Sequence, residues 1–120
     1  MQKALLHRYD NKPDILAVEK FGCSEVYRRT KDDNFDIVII VPTGQAGTTM
    51  AVVGDAISGQ YTPPAAKPWP GRSDVYPIRV DLANIRYTTL DKVRRAVEAA
   101  GETWPGQWTV KISAIDETLL

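Results

Sequence analysis

One stretch constrains the architecture more than any other: Phe35-Asp36-Ile37-Val38-Ile39-Ile40-Val41, closed by Pro42. Ile37 to Val41 are all β-branched, which stiffens χ1 and favours extended backbone. The run is apolar at odd and even positions alike, so it reads as a strand covered on both faces, the central strand of a sheet. It is also the longest unbroken apolar run in the chain, far short of the ~20 residues a membrane helix needs. Thr43-Gly44-Gln45-Ala46-Gly47-Thr48 follows as a turn, and Met50 to Ile57 as a second strand, the antiparallel partner of the first. Gly54 inside that strand predicts a bulge or a close approach by another backbone.

Downstream, Tyr76-Pro77-Ile78-Arg79-Val80-Asp81-Leu82 alternates strictly, a strand with Arg79 and Asp81 on its wet face. Thr88-Thr89-Leu90-Asp91 carries the signature of a helix start. Leu90, Val93, Ala96, Val97 and Ala100 then form one apolar stripe, and Gly101 is a natural stop. Trp108 to Ala114 alternates again as the last strand. Lys3 to Leu6 and Ile15 to Val18 are predicted as short strands, and Cys23 to Arg29 as one or two helical turns. The 120 residues make one domain, 1–120, with no internal repeat. The fold class is α+β: a small curled, mostly antiparallel β-barrel, one helix late in the chain and short helical turns near the N-terminal third.

Composition excludes several functions. At 43% hydrophobic and 25% charged residues the chain is neither disordered nor a membrane span. Fifteen basic residues balance fifteen acidic ones, against a nonspecific nucleic-acid coat or a membrane-surface protein. The distribution is nevertheless uneven. Lys67 to Arg95 holds seven basic and three acidic residues, whereas from Ala96 onward Lys111 faces Glu98, Glu102, Asp116 and Glu117. Met1 to Arg8 meets charge too soon for a secretory h-region, and the single cysteine, Cys23, has no internal disulfide partner. A cytoplasmic protein is expected.

Catalytic and cofactor motifs fail one by one. Gly44 to Thr49 lacks the lysine of a phosphate loop, and no helix pattern follows it directly. Pro13-Asp14 with Glu19-Lys20 has the wrong spacing for a nuclease metal site. One histidine, His7, and one cysteine exclude a zinc cluster within the chain. A Cys23-based enzyme stays formally open, but a lone cysteine is more often a small buried hydrophobe. No enzyme, cofactor or metal is expected.

The richest segment runs from Gly59 to Val80. Five of the eight prolines lie between Pro63 and Pro77, which makes a long stiff loop. Tyr61, Trp69 and Tyr76 interleave there with Lys67, Arg72 and Arg79. Rigid aromatic faces stack a flat heterocycle for ~1–3 kcal/mol per base, and nearby cations hold a flanking phosphate. The competing reading makes Trp69 a plug at the barrel end and Tyr76 a core residue. Trp104 and Trp108 read as packing residues.

The order of these features resembles the EVE domains of the PUA-like superfamily, relatives of the YTH and ASCH domains. The resemblance rests on Ala51-Val52-Val53-Gly54-Asp55-Ala56-Ile57-Ser58-Gly59-Gln60-Tyr61, the Pro-Trp loop, Tyr76 to Leu82, Thr88-Thr89-Leu90 and Lys111-Ile112-Ser113-Ala114-Ile115. It spans Phe35 to Ile115. Met1 to Leu6 lacks the tryptophan such domains usually carry in their first strand. The resemblance implies a non-catalytic nucleic-acid reader that takes a modified or flipped base of DNA or RNA into an aromatic-lined pocket. Ser58, Tyr61, Trp69 and Tyr76 would bind the base, and Lys67, Arg72 and Arg79 the nucleic-acid backbone. Any effector would be a separate protein. The alternative is a protein–protein interaction module with the Pro/Trp loop as its docking ridge.

Overall fold

A computed structural model describes residues 1–9, 18, 22–26, 34–42, 46–62, 78–104 and 109–120. The β-branched run forms β3, Ile37–Pro42, in the interior of a six-stranded sheet. The other strands are β1 (Gln2–Tyr9), β2 (Cys23–Val26), β4 (Met50–Ala56), β5 (Ile78–Thr89) and β6 (Thr109–Ile115). Their order across the sheet is β2-β5-β4-β3-β1-β6. All neighbours are antiparallel except β1 and β3, which run parallel with Leu6 opposite Ile39.

Both faces of β3 are covered, as its unbroken apolar pattern requires. Val38 and Ile40 join Leu5 and Val52 in one core, closed over by Val18, Cys23, Phe35, Val80 and Leu82. Ile37, Ile39 and Val41 lie on the other face with Leu6, Ala51 and Val53. That second core is capped by helix α1, Leu90–Ala99, whose Leu90, Val93, Ala96 and Val97 are all buried. Each large side chain sealed there stabilises the fold by roughly 1.5–3 kcal/mol.

The helix begins where the sequence signals it. Thr89 is the N-cap, and its side chain accepts from the Lys92 amide at 3.3 Å. Two more amides, those of Leu90 and Asp91, donate to the carbonyls of Thr49 and Gly47 at 2.9 Å each. The turn after β3 therefore offers carbonyls to a helix end, the opposite polarity to a phosphate cradle. Gly101, at φ +82, follows the last turn in the left-handed conformation that ends helices. Trp104 packs against the helix-side core, with the Arg94 guanidinium 5.2 Å from its ring centroid.

Gly54 marks a close approach and an irregularity together. The β4–β5 register shifts between Val53 and Asp55, and a Cβ on Gly54 would lie 3.0 Å from Ile85 Cδ1 and 3.1 Å from Leu82 Cβ. Next to it Asn84, at φ 51, donates through its amide to Asp55 at 2.7 Å. Arg86 also bonds Asp55, at 2.9 Å, and pairs with Glu117 of the short 3₁₀ turn Glu117–Leu119. Asn84 first and Arg86 second hold the Asp55 carboxyl below the usual carboxylate range.

The N-terminal third departs from expectation. Cys23–Val26 is a strand, not helical turns, because it pairs with β5 from Asp81 to Ile78. Val18 lies in a helical turn, its carbonyl accepting from Gly22 N at 2.8 Å, where a strand over Ile15 to Val18 was expected. The rest of both predicted segments lies outside the described residues. Among the described residues no ladder joins β2 to β6, which stand at the two ends of the described sheet. None of the described helices is long and apolar enough to cross a membrane.

Candidate functional site

Beyond Ala56 the chain keeps following β5, but out of step with it. The Ile57 amide still donates to the Asp81 carbonyl at 2.9 Å. Tyr61 and Arg79 then exchange both backbone bonds, Tyr61 N to Arg79 O at 3.0 Å and Arg79 N to Tyr61 O at 2.7 Å. Between these two points residues 58–60 pass over a single strand position. The Asp81 amide would lose its ladder partner there, and the Ser58 hydroxyl supplies one, accepting at 2.9 Å while donating to the Gly59 carbonyl. A serine stands in for a backbone carbonyl.

The Tyr61–Arg79 exchange closes the neck of the proline-rich segment, pinning its two ends side by side. At this neck the Tyr61 hydroxyl donates to Asp81 Oδ1 at 2.7 Å. Desolvation, and then that bond, push the Tyr61 hydroxyl above its ordinary pKa, while the Arg79 guanidinium beside it opposes the rise. Arg79 is half-buried, and its Nε and Nη2 are shielded from solvent with no hydrogen-bond partner. Gln60 is buried at 4% exposure, whereas Ile57 is 65% exposed.

Of the seven residues singled out from the sequence, the structure brings Ser58, Tyr61 and Arg79 together here. Lys67, Trp69, Arg72 and Tyr76 lie outside the described residues, as do Trp108, Asp74 and the segment holding Asp14, Glu19 and Lys20. The sequence marks Asp81 only as a wet-face residue of its strand. Its partnership with Tyr61 spans twenty positions and leaves no local signal.

The neck brings together a tyrosine ring, a guanidinium with two unpartnered donors and a carboxylate capped by the tyrosine hydroxyl. Cys23 sits opposite Asp81 in the ladder, yet it is only 2% exposed and packed in the core with Leu5 and Val80. A thiol so enclosed is not a nucleophile for an outside substrate. Among the described residues no three His, Cys, Asp or Glu side chains are grouped to hold a metal ion. No family model, curated protein or solved structure matches the chain.

Proposed function

We propose that this protein is a non-catalytic reader of nucleic acid, built on a PUA-like, EVE-like barrel, that holds a modified or flipped base against the aromatics of its proline-stiffened loop. The observation that carries this reading is the convergence of Tyr61, Arg79 and Ser58 at the neck of that loop. The Tyr61 hydroxyl is engaged by Asp81, so the tyrosine would offer its ring and not its polar end. A ring fixed before the ligand arrives gives up little entropy on binding. Trp69 and Tyr76 would add aromatic contacts to the base, and Lys67 and Arg72 would contact the strand alongside Arg79. The compartment would be the cytoplasm, where a lone buried thiol such as Cys23 is at home.

Fluorescence anisotropy against single-stranded DNA and RNA oligonucleotides, each with one modified base beside its unmodified parent, tests the proposal. One modification is expected to bind at least ~10-fold more tightly than its parent. Trp69→Ala and Tyr61→Ala should each lose ~10–100-fold, the worth of one stacking face, whereas Tyr61→Phe should retain binding. Equal affinity across the whole panel would overturn the reading and leave a protein-docking ridge as the better account of the loop.

A further inference from the structure

We propose that the side edge of the Arg79 guanidinium is a fork for one phosphate oxyanion, a phosphodiester of the bound strand, at the neck of the proline-rich loop. This deepens the nucleic-acid reading and rests on it for the identity of the strand. Nε and Nη2 lie on the same edge of the guanidinium, where their N–H bonds run parallel and match two oxygens of one anion. Both are shielded from water in this structure, and neither has a hydrogen-bond partner. Two donors of a charged group left without an acceptor are costly, and because Arg79 as a whole is only half-buried, a small turn of its side chain would present this edge to an anion at the neck.

Asp81, two positions along β5, accepts from the Tyr61 hydroxyl and makes no ion pair with Arg79. Arg79 joins its own strand to Tyr61 through its backbone, by the two bonds the residues exchange. The flanking sequence is basic, seven cationic against three anionic residues from Lys67 to Arg95, which favours an anionic strand over an isolated neutral ligand. A phosphodiester has one negative charge on two unbridged oxygens, the complement of this edge.

Nitrogen-15 NMR of the intact protein reads the fork directly through the Arg79 Nε–H resonance, during titration with dimethyl phosphate, acetate and a single-stranded oligonucleotide. Dimethyl phosphate and the oligonucleotide should both move it downfield. Arg79→Gln should weaken oligonucleotide binding about 10-fold and flatten the salt dependence by about 0.7 in log–log slope, one phosphate's share. Arg79→Lys should keep the slope and still lose most of the affinity, because an ammonium cannot make the paired contact. A resonance unmoved by either phosphate probe overturns the proposal, as does movement with acetate alone or wild-type affinity in Arg79→Lys. If dimethyl phosphate moves the resonance and no oligonucleotide binds, the fork stands and the nucleic-acid reading falls. If a modified oligonucleotide binds selectively and Arg79→Gln leaves its salt slope unchanged, the reading stands and the fork falls.

Discussion

His7 makes stability depend on pH in a range most carboxylates do not reach. It sits in β1 between Ile40 of β3 and Thr109 of β6, with none of its surface exposed. Desolvation there brings its pKa from the ordinary 6.5 down to about 3. The folded protein therefore binds a proton less readily than the unfolded chain. The stabilisation is complete above about pH 6.5 and drains away as pH falls toward about 3. At ~1.4 kcal/mol per pH unit the full loss is about 5 kcal/mol, comparable with the whole stability of a marginal domain. Between about pH 7 and pH 5, before most carboxylates protonate, the loss should be about 2 kcal/mol. Urea unfolding followed by tryptophan fluorescence at stepped pH measures it, and His7→Gln should be flat over the same interval whatever its absolute stability. A wild-type profile that is level from about pH 7 to pH 5, or a His7→Gln variant with the wild-type slope, would refute the reasoning.

Three further outcomes follow from the geometry. Thr89→Ala should cost about 1 kcal/mol in urea unfolding and Thr89→Ser much less, since only the capping oxygen on the Lys92 amide is at stake. Gly54→Val should cost about 2–3 kcal/mol and lower the melting midpoint, because its Cβ would meet Leu82 Cβ at 3.1 Å before the added methyls are placed; unchanged stability would deny the close approach. A double-mutant cycle on Asp55 and Arg86 should give a coupling below about 1 kcal/mol that shrinks in high salt, since both side chains are over one-third exposed, at 38% and 36%.

The parts of the fold legible in the sequence are those whose pattern is local. Ile37 to Val41 announces a doubly covered strand because every position is apolar and β-branched. The Thr89 cap, the Leu90-Val93-Ala96-Val97 stripe and Gly101 delimit a helix because each works within one or two turns. Gly54 flags the β4–β5 irregularity because no larger residue fits there. The parallel pairing of β1 with β3 has no such signature; it is decided by contacts more than thirty residues apart. Cys23 to Val26 has too few apolar residues to show a period, and its pairing with β5 settles its conformation. The same holds at the candidate site. Tyr61 and Arg79 stand out by type and neighbourhood, but the Ser58 hydroxyl filling a gap in the ladder and the bond from Tyr61 to Asp81 exist only once the chain has folded.

The place of β1 bears on how the protein is made. Of the six strands described it is synthesised first, yet it ends between β3 and β6, and β6 is made last of the six. Throughout synthesis of the intervening hundred or so residues, one flank of β1 has no ladder to join. A nascent chain stalled or cleaved before Thr109 would carry that bare flank on a strand whose Ala4, Leu5 and Leu6 are otherwise fully enclosed, the kind of edge that recruits strands from other molecules. Fragments ending in the helix should therefore precipitate or engage chaperones, and the sheet should reach its finished form only once Thr109–Ile115 has cleared the exit tunnel.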